Sequence, residues 1–425
     1  MQMNRQILST FGLCLAVVAC GGESSNGAES SVASETTNVP EAQSASASEP
    51  DTAAITAKFQ SELEALHAQY KFPGATAAYI LPDGTVNVAA VGLSDIELNI
   101  PMTPQSRMNA ASIGKTITAA TVLALAQEGK LRLDDPISTW LGDRPWFSRL
   151  PNHDTITLRH LLQNSAGIPD HYYMESYLRA RGERWSEPGN PFPPESTIEF
   201  ILDQPPLFEA GKGWAYTSTG YKIIGLIIEE VSDHSFYEEA IDRFIAPLHL
   251  SQTTPNDHRI HPGLAAGYTL AKDKFGLPAK STIAPGVVAY SPAPGWTAGG
   301  WVSNPGDLVV WAKALYEGRA MDADYMDDLL QSVPVVDDDG PGADMSAYGA
   351  GVAIVHLSDI GVSYGHGGGM PGYSSSMRYY PKHRIAVSFQ INAFMRADES
   401  APPVDSYYRE MEARLAKVVA DGLAK

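Results

Sequence analysis

The chain has 425 residues, enough for one large domain or two ordinary ones. Hydrophobic residues make up 44% and charged residues 19%, so most of it should fold as a globule. The formal net charge is −19, which argues against nucleic acid as a partner because a phosphate backbone rewards clustered Lys and Arg. No apolar run reaches the roughly 18 residues of a membrane-spanning helix.

The chain opens with Arg5, an apolar core from Ile7 to Val18, and then Val17-Val18-Ala19-Cys20, which resembles the lipobox of bacterial lipoproteins. Cleavage before Cys20 would expose its thiol and amine for acylation, and Cys14 would leave with the signal peptide. The expectation is a signal peptide over 1–20 and a lipid anchor on Cys20. The mature protein would carry no disulfide and would sit in the bacterial cell envelope, on the periplasmic side. An ordinary secretory signal cut elsewhere is the alternative. Gly21, in place of the Asp that retains many lipoproteins at the inner membrane, points to the outer membrane. Residues 21–54 are rich in Ser, Ala and Glu, with six acids up to Asp51 and no base in that stretch. Such a segment buries too little apolar surface to offset its ordering entropy, so it reads as a disordered tether. It holds only six of the 49 acids, and the domain over 55–425 is acidic in its own right.

Ile55, Phe59, Leu63, Leu66 and Tyr70 share one face of a helix. A hairpin should follow, with Thr76–Leu81 and Val86–Val91 joined by the turn Pro82-Asp83-Gly84. Ser112 opens a run to Gln127 that is apolar all round and stops at Gly129, the pattern of a buried helix. From about 130 to 340 there are helical pieces, such as Ile223-Ile224-Ile227-Ile228-Val231, between Pro- and Gly-rich loops such as 185–194 and 284–300. Strand patterns return at 348–356, 361–364, 372–380 and 384–392, and Val404–Leu423 closes the chain as a helix. The fold class is α/β. One antiparallel sheet would be built from both ends and flanked by N- and C-terminal helices, with a mostly helical lobe beside a cleft.

Several familiar motifs fail. Gly114-Lys115-Thr116 resembles the end of a phosphate loop, but Asn109 stands where that loop needs Gly. Gly367, Gly369 and Gly372 have dinucleotide spacing, yet a strand pattern follows them instead of a helix. There is no G-x-S-x-G and no H-E-x-x-H, and His258 with His261 form only a weak loop pair, so no cofactor or metal is expected. Ser112-Ile113-Gly114-Lys115 remains, an S-x-x-K at the mouth of the buried helix. Positions i and i+3 share a helix face, so the amine can lie beside the hydroxyl. An amine in an apolar site loses charge stabilisation and can serve as a base toward serine.

Taken with its surroundings, this motif resembles the serine β-lactamase and penicillin-binding-protein superfamily. The branch is that of class C β-lactamases, D-Ala-D-Ala carboxypeptidases, D-aminopeptidases and related esterases. Ser112–Lys115 matches the first motif, Tyr216-Thr217-Ser218 resembles Y-x-N, and His366-Gly367-Gly368 resembles H-x-G. The flanks LLQNSAGIPDH (161–171), GWTAGGWVSNPGDLVVWAKAL (295–315) and GHGGGMPGYSSSMRYYP (365–381) are similar as well. His261-Pro262-Gly263 and Tyr373-Ser374-Ser375 compete for the last two motifs, but the first lies in a Pro-containing loop and the second comes out of order.

The resemblance implies Ser112 as nucleophile and Lys115 with Tyr216 as joint proton carriers. It also implies an oxyanion hole from the backbone of Ser112 and Gly369, and a substrate wall of Ser218, His366, Gly367 and Gly368. Ser218 replaces the usual Asn and offers no amide, and Gly367 lacks the hydroxyl with which many members hold a substrate carboxylate. The implied activity is acyl-enzyme hydrolysis of small D-residue peptides or esters. A β-lactamase, or a non-catalytic lipoprotein binding cell-wall fragments, is the alternative. The expected partner is a small acyl donor, with the membrane reached only through Cys20.

Overall fold

The computed structural model describes residues 51–185, 192–269, 278–321, 325–336, 345–357, 359–397 and 400–424. The expected signal peptide, Cys20 and nearly all of the tether lie outside them. Helix α1 (Thr52–Tyr70) starts three residues before the expected domain boundary, because Asp51 caps it by accepting from the Ala54 amide at 3.0 Å. Its buried residues are Ile55, Phe59, Leu63 and Leu66, four of the five that the spacing predicts, while Tyr70 is only half-buried.

The hairpin follows as β1 (Gly74–Ile80) and β2 (Val86–Asp95), then a short β3 (Ile100–Pro101). Three helices carry the other lobe: α2 (Gly114–Gln127), α3 (Ser218–Ser232) and α4 (Pro305–Tyr316). Six further strands come late: β4 (Val333–Pro334), β5 (Ala347–Tyr348), β6 (Ala353–Leu357), β7 (Gly361–Met370), β8 (Tyr373–Tyr380) and β9 (Ile385–Ile391). Helix α5 (Asp405–Leu423) ends the chain.

The sheet order is β3-β2-β1-β9-β8-β7-β6-β5-β4, antiparallel throughout, with Ala75 opposite Ile391 where the two ends of the chain meet. Helices α1 and α5 cover one face, with Phe59, Leu63, Tyr79, Phe389, Met411 and Leu415 in one core cluster. Each such side chain contributes about 2 kcal/mol by leaving water. On the other side α4 packs against β1, β8 and β9. Its Leu308, Trp311 and Leu315 join α2 and α3 in the largest core cluster.

Three local expectations change. The run 348–356 is two strands, because Gly351 turns the chain at φ 69° between β5 and β6. Strand β7 continues to Met370 instead of stopping at Tyr364. The buried helix does not start at Ser112: a 3-10 turn, Ala111–Ile113, leads into α2. A small sheet of Met108–Asn109, Trp301–Ser303 and Thr254–Pro255 was not foreseen. Strand β6 pairs with β7 only as far as Gly365, so His366–Met370 are paired on the β8 side alone, and the turn at Ser112 approaches their other edge.

Candidate active site

Ser112 stands in the 3-10 turn ahead of α2, after Ala111, which holds a positive φ of 49°. A left-handed alanine costs about 1 kcal/mol, and the neighbouring backbone imposes it. One turn on, the fully buried Lys115 extends its amine to three oxygens: Ser112 Oγ at 3.3 Å, Ser218 Oγ at 3.4 Å and the Ala298 carbonyl at 2.7 Å. Burial pushes Lys115 down to about 7, with the carboxylate of Asp170 opposing the shift.

Tyr216 and Ser218 enter from the start of α3, whose N-cap Thr217 accepts from the Gly220 amide. Asn164 fixes the segment from both sides, its carbonyl accepting from the Ala215 amide at 3.0 Å and its Oδ1 from the Thr217 amide at 3.2 Å. The Lys115 amine lies 4.9 Å from the Tyr216 ring centre and 5.2 Å from that of Tyr221. Burial and the nearby Tyr348 push the Tyr216 phenol well up, and the adjoining Ser112 hydroxyl opposes them. At neutral pH Tyr216 is therefore a neutral donor.

His366 faces these groups from β7, its ring 6.0 Å from that of Tyr216. Its Nδ1 lies 2.5 Å from the Gly367 carbonyl, and its Nε2 lies 2.9 Å from the Tyr348 hydroxyl. A carbonyl can only accept, so Nδ1 carries the proton and Nε2 accepts from Tyr348. Burial and then Lys115 hold His366 at about 3, which leaves it neutral.

The glycines beside it are there for space. A Cβ on Gly368 would stand 2.1 Å from the Ala110 carbonyl, so only glycine lets β7 approach the Ser112 turn this closely. A Cβ on Gly367 would meet the Tyr408 hydroxyl of α5 at 2.9 Å. That hydroxyl donates to the Ser375 carbonyl at 2.5 Å, so its proton is already used. Gly369 lies exposed on the same strand.

Ser112, Lys115, Tyr216, Ser218 and His366 thus converge from three separated segments. The competing residues lie elsewhere. His261 is buried with Nε2 at 2.8 Å from the His258 carbonyl, and the Tyr373 hydroxyl is paired at 2.7 Å with both Ser281 and the Ala265 carbonyl. Asp170, Tyr348, Tyr408 and Lys222 were missed. Asp170 was visible only as a letter in the 161–171 flank, and nothing in the local pattern shows that Tyr348 and Lys222 are buried near the site or that the half-buried Tyr408 reaches it. Among the described residues no group of three or more His, Cys, Asp or Glu is placed to hold a metal ion.

Comparisons with known proteins bear on the family and the fold. Penicillin-binding protein 4* of Bacillus subtilis is 26% identical over 310 residues, which cover 71% of this chain and 64% of that protein, just under two thirds of its length. Among solved structures, a D-stereospecific amidohydrolase from Streptomyces sp. superposes with a TM-score of 0.67 at 25% identity, over 81% of this chain and 95% of that one. The D-amino acid amidase of Ochrobactrum anthropi, solved with L-phenylalanine amide, shares the fold with a TM-score of 0.70 at 23% identity, over 86% and 99%. The model of the family described as Beta-lactamase matches residues 59–405, and on that span the chain belongs to the Beta-lactamase family.

Proposed function

We propose that this chain is a serine hydrolase that works through an acyl-enzyme on Ser112, with small amides or peptides containing D-residues, or esters, as acyl donors. The observation that carries this reading is the buried Lys115 amine, 3.3 Å from the Ser112 hydroxyl and pushed down to about 7. An uncharged amine there takes the serine proton as Oγ attacks the substrate carbonyl carbon. The backbone N–H groups of Ser112 and Gly369 stabilise the oxyanion in this scheme. The proton passes to the leaving amine or alcohol through Lys115 and the neutral Tyr216. A water then attacks the ester on Ser112 along the same proton path, returning the free enzyme.

Substrate preference follows from Gly367. No side-chain hydroxyl is present there, and the Tyr408 hydroxyl that fills the space has given its proton to Ser375. A substrate carboxylate finds no donor at that point, which favours amide and ester donors over penicillins and over C-terminal carboxypeptidase substrates. The likeness to a D-stereospecific amidohydrolase supports the same choice. Cell-envelope attachment through Cys20 remains part of the proposal and is tested by labelling with a radioactive fatty acid, which Cys20→Ser should abolish.

The decisive experiment compares the chain lacking residues 1–20 with its Ser112→Ala variant on a nitrophenyl ester, a D-alanyl nitroanilide and a penicillin followed by intact mass. Ser112-dependent turnover of the first two is expected, with a slow or absent penicillin reaction. Equal, negligible rates in both proteins and no adduct would leave the chain as a binding protein of the same fold.

A further inference from the structure

A histidine at the head of the third motif has two ways to hold a substrate carboxylate: as a charged imidazolium, or by turning a neutral N–H toward it. At His366 both nitrogens are otherwise engaged. Nδ1 donates to the Gly367 carbonyl at 2.5 Å, and Nε2 accepts from the Tyr348 hydroxyl at 2.9 Å. Tyr348 is fully buried on β5, where burial and the neighbouring Tyr221 push its phenol well up, so it keeps the proton that it donates.

Tyr348 is itself held in place. Its backbone pairs with Val333 of β4 on one side and Ala353 of β6 on the other. Its ring centre lies 5.9 Å from that of Trp214, 6.3 Å from Tyr216 and 5.8 Å from His366. Turning the His366 ring would give up both of its bonds and leave a buried phenol without an acceptor. Charging the ring is opposed by burial first and then by Lys115 on α2; Arg378 on β8 and Arg409 on α5 act in the same direction, against the Gly367 carbonyl. Tyr216, whose ring is 6.0 Å away, stays a neutral phenol and adds no charge. Gly367 brings no side-chain donor to the same strand. A carboxylate entering here would give up its water without meeting a cation, whereas a carboxamide or an ester has no charge to desolvate.

We propose that Tyr348 is a specificity-determining residue: by donating to His366 Nε2 it keeps both nitrogens of that ring occupied, so the site selects acyl donors that end in a carboxamide or an ester over those that end in a carboxylate. The proposal rests on the reading of Ser112 as nucleophile and narrows its substrate class.

Two readouts test it on the chain lacking residues 1–20. Long-range proton–nitrogen spectra of histidine-labelled protein, with His366→Asn to assign the signal, should show His366 protonated on Nδ1 and unchanged between pH 5 and 9. The second readout compares acetyl-D-alanyl-D-alanine with its C-terminal carboxamide at pH 8, where Lys115 is mostly uncharged. It is taken as kcat/KM, or as Ki against nitrophenyl ester turnover where hydrolysis is slow. The wild type should prefer the carboxamide by about tenfold or more. In Tyr348→Phe the freed ring can turn an N–H toward the carboxylate, and the preference should shrink about tenfold. A wild-type His366 that titrates in this range, or that carries its proton on Nε2, overturns the proposal. An unchanged preference in a folded Tyr348→Phe overturns it equally. Should that variant fail to fold, the wild-type spectra still decide, and so does a wild type that shows no preference or favours the carboxylate. Ester turnover surviving in Ser112→Ala removes the reading of the site, and this proposal with it; Ser112-dependent turnover with a titrating His366 or an unmoved preference removes this proposal alone.

Discussion

On the proposed mechanism Lys115 is the residue on which the chemistry turns, and its environment then implies a definite pH response. With its amine pushed down to about 7, the base form is lost as pH falls through that value. On the reading above, kcat/KM should therefore rise with pH and level off above neutrality. His366 adds no inflection above pH 5, because it is held at about 3 and stays neutral. A kcat/KM profile between pH 5 and 9 checks both statements; a limb that disappears in His366→Asn would contradict the second. Gly368 carries a steric prediction. An alanine there brings its Cβ to 2.1 Å from the Ala110 carbonyl and must push β7 off the Ser112 turn. Gly368→Ala should cost about 1–3 kcal/mol of stability. It should lower kcat on the order of a hundredfold through misplacement at the site, measurable by thermal unfolding and ester turnover.

Helix α5 shows what was legible at the level of elements and what was not. Its helical pattern and the strand patterns of β8 and β9 are plain in the sequence, because long elements carry enough residues to show their type, even where, as in β8 and β9, every residue is buried. The same holds for the β1–β2 hairpin, where Pro82-Asp83-Gly84 supplies the turn. The strands Met108–Asn109, Thr254–Pro255 and Trp301–Ser303 are too short to carry any period, and their pairing joins segments far apart in the chain. Lys222 breaks an otherwise apolar face, and only tertiary packing shows that it is buried. Tyr408 reaches the third motif from α5 through a contact between residues far apart in the chain.

The same helix is tied to the sheet by a buried ion cluster. Glu412 accepts from Arg378 on β8 at 3.1 Å and also from Arg409 and Ser376, with Arg378 and Glu412 both shielded from water. Burial alone would raise the Glu412 pKa, but the two guanidinium groups hold it at about 2. Its unfolded value is near 4.3, so this stabilisation is complete above that pH and is lost as pH falls from there through about 2. Glu412→Gln leaves Arg378 buried without its counter-charge and should cost about 3–5 kcal/mol in urea unfolding at pH 7, with the difference from wild type shrinking toward pH 2.

For the molecule as a whole, the sheet joins the first strand of the chain to its last, and both outer helices rest on that joint. A chain ending at Val404 would uncover Phe59, Leu63 and Phe389 together, a loss of about 6 kcal/mol that is comparable to the net stability of an ordinary domain, before the buried side chains of α5 itself are counted. It should fail to fold, seen as loss of the near-ultraviolet circular dichroism of the core tyrosines and tryptophans. The pairing of Ala75 with Ile391 also sets the timing of assembly. During synthesis β1 waits beside an empty place until β9 has been made, about 300 residues later. The growing chain thus stays open along this seam for the whole time that the long stretch between its two partners is being made, and the sheet can close only once the second of them has emerged.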